Sequence, residues 1–130
     1  MKASATELAD TIEITVNTRF LDEQSNPDAA EYAFAYHITI ANRGEQSVQL
    51  LYRHWFITDG NNNVREVEGE GVVGQQPHIE PGQSFEYASG AILATKIGMM
   101  EGSYQMLAAN GESFHAPIQP FSLVHPHSLQ

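Results

Sequence analysis

Hydrophobic positions along the chain recur mostly at every second residue, the period of a strand rather than of a helix. Between Glu31 and Ala41, the residues Tyr32, Phe34, Tyr36, Ile38 and Ile40 alternate with Ala33, Ala35, His37, Thr39 and Ala41. This predicts a half-buried strand with aromatic and β-branched side chains on its core side. Ile12, Ile14 and Val16 alternate with Glu13, Thr15 and Asn17 in the same way. Residues 48–58 differ, because Leu51, Trp55 and Ile57 fall on one face and Leu50, Tyr52 and Phe56 on the other. A strand that is apolar on both faces is central in its sheet or covers a partner.

The turn residues are those of antiparallel sheets. Asn42-Arg43-Gly44 separates two strong strands, Asp59-Gly60 and Asn110-Gly111 are two-residue hairpin signals, and Pro81-Gly82 suits a type II turn. Further strands are predicted near 64–68, 84–88, 103–108 and 113–124, and short helical stretches at 5–9 and 91–96. About seven short strands with regular turns predict an all-β fold, an antiparallel β-sandwich of the immunoglobulin/fibronectin type III kind. Gly102-Ser103-Tyr104 fits a tyrosine corner, with the Tyr104 hydroxyl on nearby backbone; a plain core tyrosine is the alternative.

Composition narrows the function classes. The 130 residues make one domain the expectation, 1–130, with a flexible tail from about 125. Sixteen Asp and Glu against six Lys and Arg give a net charge of −10, so no basic patch is available for nucleic acid or for an anionic membrane surface. The absence of Cys excludes disulfides and thiol chemistry. The opening residues carry one Lys among acidic and small residues, with no apolar run of the leader type, and residues 31–41 are too short and polar to span a bilayer. The expectation is a cytoplasmic protein without membrane insertion.

Candidate chemistry lies in three places. Glu66, Glu68 and Glu70 share one face of an extended segment, a ladder able to hold hydrated Mg²⁺ or Co²⁺ loosely; a solvated acidic sheet edge is the alternative. His125 and His127 flank Pro126 and project to one side of an extended tail, a two-nitrogen grip on Co²⁺, Ni²⁺ or Zn²⁺ that needs further ligands. Gly69, Gly71 and Gly74 form G-x-G-x-x-G, but Gln75-Gln76-Pro77 cannot continue as the helix a dinucleotide fold requires. What remains is a backbone anion nest or a glycine-permitted bend. No G-x-S-x-G or phosphate-loop motif occurs, and no catalytic residues are expected.

The runs Arg53-His54-Trp55-Phe56-Ile57-Thr58-Asp59-Gly60 and Glu66-Val67-Glu68-Gly69-Glu70-Gly71-Val72-Val73-Gly74-Gln75-Gln76-Pro77 resemble the signature of the ApaG (CorD) family. Pro81-Gly82, Tyr87-Ala88-Ser89-Gly90 and Gly102-Ser103-Tyr104-Gln105-Met106 extend the match across about 10–124. The resemblance implies a fibronectin type III-like sandwich and a link to cobalt resistance and magnesium efflux. It also implies protein interaction, the role of similar domains in some F-box proteins and a polymerase-delta-interacting protein. A pyrophosphate contact is implied at Gly69, Gly71 and Gly74; catalytic residues are not. The expectation is therefore a non-enzymatic binding or regulatory module acting on efflux indirectly through a protein partner. A nucleotide sensor at Gly69–Gly74 and a weak direct Co²⁺/Mg²⁺ binder are the alternatives, and a homodimer stays open.

Overall fold

Ser4 accepts from the Glu7 N–H while the Glu7 carboxylate accepts from the Ser4 N–H, and this capping box starts α1, Ala5–Asp10. In the computed structural model, which describes residues 2–127, the strands follow as β1 (Ile12–Phe20), β2 (Tyr32–Asn42), β3 (Val48–Asp59) and β4 (Val64–Glu70). After them come β5 (His78–Ile79), β6 (Ser84–Leu93), β7 (Ile97–Ala108) and β8 (Ser113–Val124). One sheet has the order β1-β2-β6; the other has β4-β3-β7-β8, with β5 paired to β3, and every pairing is antiparallel. The all-β sandwich is as the alternation predicts. Among the described residues no helix is long and apolar enough to cross a membrane.

The core forms where the two sheets face each other. Phe34, Tyr36, Ile38 and Ile40 of β2 meet Trp55 and Ile57 of β3 and Tyr104 and Met106 of β7, all buried. Burying each such side chain contributes about 1.5–3 kcal/mol. Trp55 packs edge-on against Tyr104 and Phe121, and Tyr36 lies 5.6 Å from Trp55 between ring centres.

The chain changes sheets after β2, and Asn42 holds the crossing. Its side chain, 1% exposed, donates to the carbonyls of Gln46 and Ile79 at 2.7 and 2.9 Å and accepts from the Gly44 N–H. An apolar replacement would leave the buried Ile79 carbonyl without this donor, at about 1–3 kcal/mol. The nearby Pro81-Gly82 turn has the predicted type II form, with Gly82 at φ +81° and the Gln83 N–H donating to the Glu80 carbonyl.

Four local expectations are corrected. Leu50 and Trp55 share the inner face of β3, because the register slips between Leu50 and Tyr52 and Leu51 is an extra residue in the strand. Residues 91–93 continue β6 rather than forming a helix, since Ala91 and Leu93 pair with Phe34 and Tyr32 of β2. The Asp59-Gly60 and Asn110-Gly111 hairpins are longer than two residues: β3 ends at Asp59 and β4 begins at Val64, while β7 ends at Ala108 and β8 begins at Ser113. In the first of these loops the Asp59 carboxylate accepts from the N–H groups of Asn61 and Asn63. Finally, the Tyr104 hydroxyl bonds to the Tyr87 hydroxyl rather than to nearby backbone. Tyr104 lies mid-strand and points inward, so its partner comes from the opposite sheet.

Candidate functional site

β4 is the edge strand of its sheet, paired among the described residues only to β3. The register sets Tyr52 against Glu70, His54 against Glu68 and Phe56 against Glu66. Because alternate residues of a strand share a face, Glu66, Glu68 and Glu70 stand on the outer surface of the sheet, as the spacing predicts. The structure adds the neighbours that spacing alone does not show. The Tyr52 hydroxyl donates to Glu68 at 2.7 Å, and His54 Nε2 contacts Glu66 Oε2 and lies 3.4 Å from Glu68 Oε2. His54, Glu66 and Glu68 each offer a ligand atom within 4.8 Å of the other two; Glu70 is not in this group. All three are open to solvent, with side-chain exposures of 33%, 52% and 49%.

The Tyr52 hydrogen bond is the main reason the Glu68 carboxyl is held below its ordinary range, and the neighbouring His54 acts in the same direction. The same bond raises the Tyr52 hydroxyl. A carboxylate depressed in the fold contributes stability above its unfolded pKa and loses it as pH falls through its folded one.

The glycine loop begins where β4 ends. Gly69 lies against the Arg53 guanidinium, whose Nη2 would be 3.0 Å from a Cβ at that position. Arg53 donates through Nη1 to the carbonyls of Glu70 and Gly71 at 3.1 and 3.0 Å. Gly71 has φ +65°, and a Cβ there would collide with the Gln75 carbonyl. Val72 and Gln75 exchange backbone hydrogen bonds around Val73 and Gly74, both at positive φ, so the loop closes as a two-residue hairpin with the buried Val72 as its anchor. The Gly71 N–H donates to the Leu51 carbonyl, which also accepts from Gln76 Nε2. The N–H groups of Gly71, Val72 and Gln75 are therefore engaged within the protein, and what the loop turns toward Arg53 is carbonyl oxygen.

His125 and His127 lie elsewhere, just beyond β8. The His125 ring lies tilted against Phe20 at 4.4 Å and meets Tyr32, the His125 backbone N–H donates to the Lys96 carbonyl, and the ring Nδ1 accepts from the His127 backbone N–H. The two rings are 5.5 Å apart. Among the described residues no third His, Asp or Glu joins them as a compact ligand set. The tail assigned to 125–130 is described only through His127; residues 128–130 lie outside the described residues.

The sequence pattern does not single out two residues of the site. His54 alternates like any strand histidine, and Arg53 has no visible tie to a loop about twenty residues away. Both assignments depend on the β3–β4 register and on the extra residue at Leu51. Beside them, Phe56 is exposed at 37%, next to a shallow depression lined by Glu101, Ser103, Pro117 and Pro120.

Fold and surface together define a fibronectin type III-like β-sandwich with an acidic, partly apolar sheet face and an open edge. The ApaG domain family model matches residues 22–108. Proteins named ApaG from Pseudomonas syringae pv. tomato and Thiobacillus denitrificans are 56% and 55% identical over 118 residues, 91% of this chain and 94% and 93% of theirs. A structural-genomics target solved by X-ray crystallography superposes with a TM-score of 0.90 at 45% identity, covering 95% of this chain and 93% of its own. The crystal structure of a Bordetella pertussis protein named ApaA gives 0.87 at 46%, with 90% and 95% covered. The chain belongs to the ApaG family.

Two outcomes follow for the site. Gly71→Ala should lower stability by more than about 1 kcal/mol in urea denaturation, and by more than Gly74→Ala, where positive φ is the only obstacle because the space is open. Equal stability of Gly71→Ala and the parent chain would contradict this. Tyr52→Phe should raise the Glu68 carboxyl toward its ordinary value in an NMR pH titration. In the parent chain the pair's stabilisation should persist at neutral pH and fade as acid passes the lowered Glu68 midpoint. An unchanged midpoint in Tyr52→Phe would contradict the assignment.

Proposed function

We propose that this chain is a non-enzymatic binding module of divalent-cation homeostasis, working in the cytoplasm and acting on cobalt resistance and magnesium efflux through a protein partner. The observation that carries the reading is the unpaired β4 edge beside the exposed Phe56: backbone pairing capacity and apolar surface lie on one continuous face. Membership of the ApaG family is what ties the reading to cations and, through the protein-interaction role the resemblance implies, to an indirect route.

A direct metal site is the second reading, favoured by the His54–Glu66–Glu68 group. One imidazole and two carboxylates suit a first-row divalent cation such as Co²⁺. Against it, the ligands are solvent-exposed, and both carboxylates already bond to protein groups, Glu68 to Tyr52 and Glu66 to His54. An ion would displace those bonds and keep several waters, a recipe for weak binding. A phosphate ligand at Gly69, Gly71 and Gly74 has less support, because three of the loop N–H groups already donate to carbonyls.

Calorimetric titration of the purified chain with Co²⁺ at physiological salt distinguishes the first two readings. Weak binding that fades as salt rises is the expected result, since surface-charge attraction is screened. Stoichiometric sub-micromolar binding, lost in His54→Ala, would overturn the partner reading in favour of direct ligation; loss in His125→Ala/His127→Ala would place that ligation at the end of β8.

A further inference from the structure

The outer face of the β4-β3-β7-β8 sheet carries charge of one sign. Glu66, Glu68 and Glu70 of β4 face outward, as does Glu101 of β7, which pairs with Phe56. None of the four Arg residues shares that surface. Arg53 caps the carbonyls of Glu70 and Gly71, Arg65 pairs with the buried Ile57 and reaches the Ile92 carbonyl, and Arg43 binds Glu13 beside β1. Lys2 lies ahead of α1, Arg19 in β1, and Lys96 between β6 and β7. The same surface exposes apolar area at Val64, Phe56 and Met99, 61%, 37% and 44% exposed.

The edge and the charge select one kind of occupant. A strand added to β4 would place its side chains opposite or diagonal to those of β4, within reach of cross-strand pairing. A second copy of β4 would set Glu against Glu, which opposes self-pairing. A segment with Lys or Arg at alternate positions would instead meet Glu66, Glu68 and Glu70 in turn. We infer that the β4 edge recruits its protein partner by strand addition, and that the partner supplies an extended segment with basic residues at every second position. This rests on the partner reading above and names the chemistry of the partner.

The test uses the full chain and two short synthetic peptides of identical composition. One has Lys alternating with Val and Thr; the other has its Lys residues consecutive. Fluorescence anisotropy at physiological salt should show the alternating peptide binding about tenfold more tightly. Glu66→Gln/Glu68→Gln/Glu70→Gln should remove that preference. Glu23→Gln/Asp28→Asn/Glu31→Gln, which deletes the same charge around the turns before β2, should retain it, with melting temperatures confirming that both variants are folded. Amide hydrogen exchange should slow along β4 in the complex. Equal binding of the two peptides, or equal losses in the two triple variants, would overturn strand addition. So would self-association of the free chain with protected β4 amides, which would make a second copy the occupant. The partner reading fails separately, on tight Co²⁺ binding in the calorimetric titration, so the two failures are distinguishable.

Discussion

The extra residue at Leu51 governs what β3 shows to each side. Before it, Val48 and Leu50 point into the core; after it, Trp55 and Ile57 do. Without the slip, strict alternation would turn Trp55 outward and bring His54 and Phe56 into the interior, because a one-residue shift exchanges the faces of a strand. The slip thus permits both a tryptophan in the core and a histidine beside two glutamates on the surface. The carbonyl of Leu51 also receives the Gly71 N–H and the Gln76 amide, so the glycine loop is anchored at the irregularity itself.

From that anchor the site divides into an inner and an outer layer. Inside, Arg53 lies along Gly69 and holds the carbonyls that close β4. Outside, Tyr52 and His54 engage Glu66 and Glu68, and Phe56 remains open. Glycine at 69 and 71 serves this division for separate reasons, one by leaving room for a guanidinium and the other by accepting a positive φ beside a carbonyl. The outcome is a sheet edge whose backbone is held in register from one side while its other side stays unpaired.

Much of the sandwich was legible from alternation. The aromatic face of β2 repeats without interruption, and the limits of β8 coincide with the 113–124 pattern. The shared face of Glu66, Glu68 and Glu70 was legible for the same reason, since period two needs no knowledge of neighbours. What was not legible depended on partners distant in sequence. Tyr104 finds its hydroxyl partner on Tyr87 across the sandwich, and Ala91 is held extended by pairing with β2. His125 packs on Phe20, over a hundred residues away. An irregularity with no residue signature split the inner face of β3 between the two sides of the pattern, while Tyr52 and Phe56 do keep the outer face partly apolar.

The most direct test of the account asks whether this face is what the protein works through in the cell. A strain lacking the chain would be complemented either with Phe56→Ala/Glu66→Gln/Glu68→Gln/Glu70→Gln or with Glu23→Gln/Asp28→Asn/Glu31→Gln, and growth scored across a cobalt series at matched protein levels. The expected result is that the first variant, with its fold preserved, fails to restore cobalt tolerance while the second restores it. Full tolerance from the first variant would contradict the account.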